Sequence, residues 1–259
     1  MPNLLAFDPA QFLGFIVIFA RVSGLLISAP VLGDQNIPVQ IKVAFAFVLS
    51  LIFFPVLAAP QVGDNPDLLD IIVLLTAEVG VGVLIGFSAR LLLAGVALAG
   101  EVIGFQMGLG IASVFDPSSE IQVSLIGQIK ISFALLLFVV LDGHHILIRA
   151  LIMSYRHIEP GKLELSRALL DHYMGLAGMI FLVGLQIGAP LIVAMMAANF
   201  SIGLIARSVP QVNVFVVGFP FTIALGLLLL MLAFPFFIEA LGALHNQLGN
   251  ILDSGLRRG

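Results

Sequence analysis

The sequence predicts an all-α, polytopic integral membrane protein with kinked helices and a re-entrant Gly-rich loop. Three observations carry that prediction. The chain is 60% hydrophobic and only 10% charged, where ordinary soluble domains are roughly 25% charged. The stretches from His172 to Ala206 and from Ser208 to Ile238 contain no Asp, Glu, Lys or Arg. Each is long enough for a helix crossing a hydrocarbon core of ~30 Å, which takes about 20 residues. Within the apolar run from Ala99 to Pro117, Gly100, Gly104, Gly108 and Gly110 thin the chain, Glu101 charges one end, and Asp116-Pro117 stops the other. Apolar backbone broken in this way persists at membrane depth only where protein or a water-filled path supplies its hydrogen bonds. The alternating pattern of a membrane β-barrel is absent.

Six apolar blocks, at about 11–31, 43–59, 71–99, 123–141, 174–206 and 214–238, justify the helices in turn. The N-terminus lacks the basic region of a secretory signal peptide, so the first block is expected to remain as a helix. A further apolar patch at 146–153 is too short to span and is expected to be an amphipathic or half-buried turn of helix. Pro30, Pro55, Pro190, Pro220 and Pro235 fall inside blocks. A proline removes a helix hydrogen bond at a cost of ~3 kcal/mol in a helix interior, so bent helices in a close assembly are expected.

Charge patterning gives an orientation. The linker Pro60–Asp70 carries Asp64, Asp67 and Asp70 but no Lys or Arg. The linker Asp142–Asp171 carries Arg149, Arg156, Lys162 and Arg167, and the tail ends in Arg257-Arg258. The positive-inside rule places the last two in the cytoplasm and the first outside. An odd number of crossings must then separate them, yet blocks three and four supply two. Either the Gly-rich run is itself a third traverse, or the protein does not follow simple topology.

Arg21, Glu78, Arg90, Glu101 and Lys130 lie inside or at the edge of apolar blocks. A charge at the centre of a membrane helix costs ~2.5–3.5 kcal/mol, so these side chains must face protein, water or one another. One reading is an ion or proton relay or a polar lining; the plainer one is ion pairs to neighbouring helices or subunits. Gly100 and Gly104, like Gly82 and Gly86, have the spacing that lets helix backbones approach closely. The segment Gly108, Leu109, Gly110, Ile111, Ala112, Ser113, Val114, Phe115, Asp116 and Pro117 joins flexible glycines to an apolar tip. Such a tip suits a hydrophobic constriction that gates a pore by excluding water.

The chain has no cysteine, so thiol chemistry and thiolate metal sites are excluded. A formal charge of −4 offers nucleic acid no electrostatic footing. The adjacent His144 and His145 diverge on a helix, with no carboxylate or further histidine read at the i+3 or i+4 spacing of a metal site. No HExxH, GxSxG, Walker A or GxGxxG signature occurs. Neither catalysis nor a cofactor nor a metal is expected.

Several ordered motifs run along nearly the whole chain: Arg21-Val-Ser-Gly24 followed by Ala29-Pro30, Ile37-Pro38, and the run from Gly100 to Pro117. They continue with the Gly143-His144 corner, Ala189-Pro190 leading to Asn199, Gly203-Leu204 and Arg207, and the stretch from Pro210 to Pro220. In these motifs the chain resembles the FliR family, the flagellar members of the type III secretion export-gate subunits. One departure is Asp142, where the family usually has Asn before Gly-His.

The resemblance implies a single export-gate unit over 1–259. About 1–145 would be similar to FliP, and about 146–259 would hold a basic linker and a FliQ-like helical hairpin. It implies assembly with FliP and FliQ into a closed gate, with FlhB packed against it and FlhA around or beneath it. Unfolded flagellar subunits would pass through. The location implied is the bacterial inner membrane at the flagellar basal body, partly above the membrane plane. The loop from Gly108 to Pro117 would project into the channel as a plug, with Leu109, Ile111 and Phe115 as its apolar side chains. A secondary transporter using Glu78, Arg90, Glu101 and Lys130 as its path, and a purely structural scaffold, are the competing readings.

Overall fold

In a computed structural model of the chain, the described residues are 9–57, 67–109, 125–164, 166–208 and 214–258. Among them there are seven helices and no strand: α1 (Pro9–Ser28), α2 (Val39–Phe53), α3 (Leu68–Gln106), α4 (Leu125–Val140), α5 (Gly143–His157), α6 (Arg167–Ser208) and α7 (Val214–Leu256). The fold class is all-α, and four helices are long and apolar enough to cross a membrane. The count rises to five if α4 and α5, bent by 64° at their junction, form one broken span.

Three helices outrun any bilayer. At 1.5 Å per residue, α3 (39 residues), α6 (42 residues) and α7 (43 residues) are about 58 to 64 Å long. That is about twice a ~30 Å hydrocarbon core. The third apolar block therefore does not stop where the glycines begin, because α3 carries Gly100 and Gly104 in helical backbone. The topology count still turns on 110–124, which lie outside the described residues.

Two expectations are corrected. Pro30 and Pro55 do not interrupt helices; they stand just beyond the ends of α1 and α2, where a missing amide hydrogen costs least. Pro190, Pro220 and Pro235 do sit within continuous helices. The patch at 146–153 belongs to the full helix α5, whose buried face is Leu147, Ala150, Leu151 and Ser154. Arg149, Arg156 and His157 dilute the hydropathy of that helix, so only its middle stands out in sequence. Similarly, α7 runs well past the apolar block ending near Ile238. Leu241, Leu248, Leu252 and Leu256 recur at helical spacing there and are buried.

Contacts divide the chain into two compact units. The first comprises 1–90, 142–175 and 247–259. In it α1 meets α2 through Phe15, whose ring lies 5.4 Å from Phe47 and 6.1 Å from Phe54. It meets α3 backbone to backbone. A Cβ on Gly82 would overlap the Arg21 carbonyl, one on Gly24 the Val79 carbonyl, and one on Gly86 the Ser28 hydroxyl. Small residues on both helices remove the side chains that would otherwise hold them apart. After α1 the chain turns through Val31, which adopts φ 66°, a conformation rare for a β-branched residue.

The second unit comprises 91–141 and 176–246. Its core has two clusters. Val96, Ala99, Ala134, Val183, Ile187, Phe237 and Leu241 form one, and Ile103, Met107, Ile126, Leu191 and Met195 form the other. Close approach recurs here too: a Cβ on Gly100 would come within 2.5 Å of Gly127 Cα on α4.

Candidate functional site

The Gly-rich run leaves α3 through a defined cap. Gly108 adopts φ 85°, the left-handed conformation that glycine takes without a Cβ penalty. The Gly108 amide donates to the Phe105 carbonyl at 3.0 Å, and the Leu109 amide to the Gly104 carbonyl at 3.1 Å. These two bonds on a left-handed glycine are the Schellman motif, which satisfies carbonyls that a helix end leaves open. The glycine spacing thus has two uses: Gly100 brings α3 against α4, and Gly108 ends α3.

Two side chains from other helices fasten this end. Asn199 Nδ2 on α6 donates to the Gln106 carbonyl at 3.1 Å, and Thr222 Oγ1 on α7 donates to the Met107 carbonyl at 3.0 Å. Met107 is fully buried, in contact with the face of α7 at Gly226, where a Cβ would collide with its side chain. Of the residues read as the plug, Gly108 and Leu109 lie in this cap. Gly110, Ile111, Ala112, Ser113, Val114, Phe115, Asp116 and Pro117 lie outside the described residues.

The five intramembrane charges separate into distinct settings. In the first unit, Arg21 and Glu78 form a fully buried pair, Nε to Oε2 at 2.7 Å and Nη2 to Oε1 at 2.8 Å. Two of the three remaining guanidinium hydrogens go to Ser154 Oγ at 2.9 Å and the Ile158 carbonyl at 3.4 Å. The Gly161 amide donates to Glu78 Oε1 at 3.0 Å, and the guanidinium carbon lies 3.8 Å from the Tyr155 ring centroid. Two charges are thereby taken out of water with nearly all their hydrogen-bonding capacity used, the condition under which a buried pair is tolerated.

Arg90 is exposed and donates to the Gly33 carbonyl at 3.1 Å and the Ile27 carbonyl at 3.5 Å. It thus sits at the C-terminal end of α1, where a cation complements the helix dipole. Glu101 is exposed beside the α4 contact at Gly127. Lys130, in the second unit, is buried with its ammonium 5.2 Å from the Phe237 ring centroid. Among the described residues no carboxylate forms an ion pair with Lys130 or Arg90.

The histidine corner also needs a correction. Asp142 stands three residues before His145, and its left-handed backbone (φ 61°) turns the carboxylate back onto the first turn of α5. Asp142 Oδ1 lies 3.1 Å from His145 Nδ1. Asp142, His144 and His145 each bring one potential metal-ligand atom within 4.8 Å of the others, at an exposed corner.

Comparison with known proteins places this architecture. The family model for bacterial export proteins, family 1, matches residues 12–248. The flagellar biosynthetic protein FliR of Bacillus subtilis (strain 168) is 32% identical over 227 residues, 85% of each chain. FliR of Escherichia coli (strain K12) is 31% identical over 233 residues, 90% of this chain and 88% of that protein. FliR of Caulobacter vibrioides is 33% identical over 223 residues, 84% of this chain and 86% of that protein.

Proposed function

This chain belongs to the FliR family of bacterial export proteins, and from that premise we propose that it is a component of the flagellar export apparatus whose Gly-rich loop plugs a protein-conducting gate. The observation that carries the reading is the way α3 ends. The loop departs from a left-handed glycine, and its root is fastened by Asn199 and Thr222. Beyond that root, the residues from Gly110 to Phe115 carry no charge and, apart from Ser113, no polar side chain in sequence. A fixed root with an apolar tip is what a hydrophobic plug requires.

At rest the tip, with neighbouring subunits, closes the conduit to water and ions; during export it moves aside and unfolded flagellar subunits pass outward. Such gating needs two loop states within a few kcal/mol of each other, biased by substrate or by the export machinery. The chain itself performs no chemistry. FliP- and FliQ-like proteins build the gate with it, about 1–145 taking the FliP-like part and about 146–259 the FliQ-like part. FlhB and FlhA associate with that gate in the bacterial inner membrane at the basal body. Assembly also accounts for surface that the chain leaves uncovered: only 22% of an 18-residue apolar stretch of α3 and 17% of one in α7 is buried. The transporter reading loses one of its four polar groups, because Glu78 is engaged with Arg21.

The test is Gly110→Asp and Phe115→Ala, each assayed for membrane ion leak and for export of flagellar subunits. Raised leak with altered export is expected. Normal assembly with both readouts unchanged removes the plug.

A further inference from the structure

A cavity of about 590 Å³ opens within the second unit between α4, α6 and α7. Among the described residues its walls are apolar, with one exception: Lys130 stands among Phe133, Leu191, Met231, Phe234 and Phe237. Lys130 is 7% exposed, and no Asp or Glu of the described residues pairs with it. Its one described polar contact is the face of Phe237. A cation–π contact offsets only part of the cost of an ammonium at membrane depth, so the cavity is electrostatically incomplete. Its rim is the reverse of a solvated surface, since Ile129, Phe133 and Met231 (78% exposed) present large apolar side chains outward.

We infer that this cavity receives the carboxylate side chain, and the flanking apolar side chains, of a transmembrane helix from a partner subunit. Charge complementarity selects the carboxylate, because a single buried cation needs a single anion to be stable there. Size selects side chains over a whole inserted segment. A helix 10–12 Å across would fill 590 Å³ in about one and a half turns or less, so the partner lies along the mouth and projects into it. The lining disfavours a phosphate head group, which needs several donors where the described residues of the walls offer one ammonium. The inference deepens the gate-subunit reading and rests on it.

The test uses the full chain in cells that make the whole export apparatus. A photo-crosslinking amino acid is placed at Ile129 or Met231, and the attached peptide is sequenced. The expected product is a membrane partner's apolar helix, joined within a turn of an Asp or Glu. Lys130→Glu should cut recovery of that crosslink by about tenfold, as a like charge across an interface does. Changing the partner's carboxylate to Lys should then restore it. Lys130→Met, which keeps the volume without opposing charge, should lose less and guards against simple misfolding. Four results overturn the inference: crosslinks to lipid alone, crosslinks to residues 110–124 of this chain (which include Glu120), a helix without a carboxylate, or a Lys130→Glu crosslink that persists. If the unmodified chain co-purifies with no membrane partner, the gate-subunit reading falls as well. If partners co-purify but the charge exchange fails, only this inference falls.

Discussion

Both carboxylate oxygens of Glu78 receive the guanidinium of Arg21, at 2.7 and 2.8 Å, in a site closed to its surroundings. Removing either charge strands the other, which typically costs ~3–5 kcal/mol. Glu78→Gln and Arg21→Met should each lower the thermal unfolding midpoint of the detergent-purified protein sharply. The double variant Arg21→Met/Glu78→Met should lose far less than the sum, since no charge is left unpaired. Additive losses would mean that the two side chains act independently.

The same two helices meet where Gly82 faces the Arg21 carbonyl. That obstacle is backbone, which cannot rotate away as a long side chain can. Gly82→Ala should therefore destabilise by ~1–3 kcal/mol, the usual range for overpacking. Gly175→Ala is the matched control, because a Cβ there meets nothing within 4 Å. It should be neutral or slightly stabilising, as a helical Gly→Ala change is by about 0.5–1 kcal/mol. Equal midpoints for the two variants would refute the close-contact argument.

Helix-forming segments are legible in this sequence because each is an apolar run, and membrane depth leaves the backbone no alternative to helix. The charges Arg21, Glu78 and Lys130 are legible as groups that need an explanation, since their apolar neighbours make them anomalous. Their partners are not legible. Arg21 reaches Ser154 across 133 positions, and Glu78 takes the Gly161 amide across 83, separations that no periodicity reports. Those partners come from a segment that reads as a short amphipathic patch and a basic linker. Asp142 was within reach: it stands three residues before His145, and only its left-handed φ directs the carboxylate onto that ring. Gly108 is legible as flexible, but its use as a helix cap depends on where α3 stops, and apolar sequence on both sides hides that boundary.

Gly108 provides a separate test of the loop root. At φ 85° a Cβ costs about 1–2 kcal/mol, less for Asn, which visits this region more readily. Gly108→Val should loosen or misdirect the cap and change both ion leak and flagellar export, while Gly108→Asn should stay close to the parent. A Gly108→Val chain that exports normally and holds the membrane tight would show that the loop does not depend on this cap.

Thr222 distinguishes a fastened root from one that merely lies nearby. Its hydroxyl donates to the Met107 carbonyl at 3.0 Å and is itself buried. Thr222→Val keeps the shape and removes the donor, leaving a buried carbonyl unsatisfied at a cost of ~1–3 kcal/mol. Thr222→Ser restores the donor without the methyl group. Hydrogen–deuterium exchange reads the consequence directly, because the Gly108 and Leu109 amides are held by the Phe105 and Gly104 carbonyls of the cap. Peptides covering 104–109 should exchange faster in Thr222→Val, and at close to the parental rate in Thr222→Ser. Peptides from α5, in the other unit, should not change in either variant. Unchanged exchange at 104–109 in Thr222→Val would mean that α3 holds its own end and that α7 contributes no restraint there.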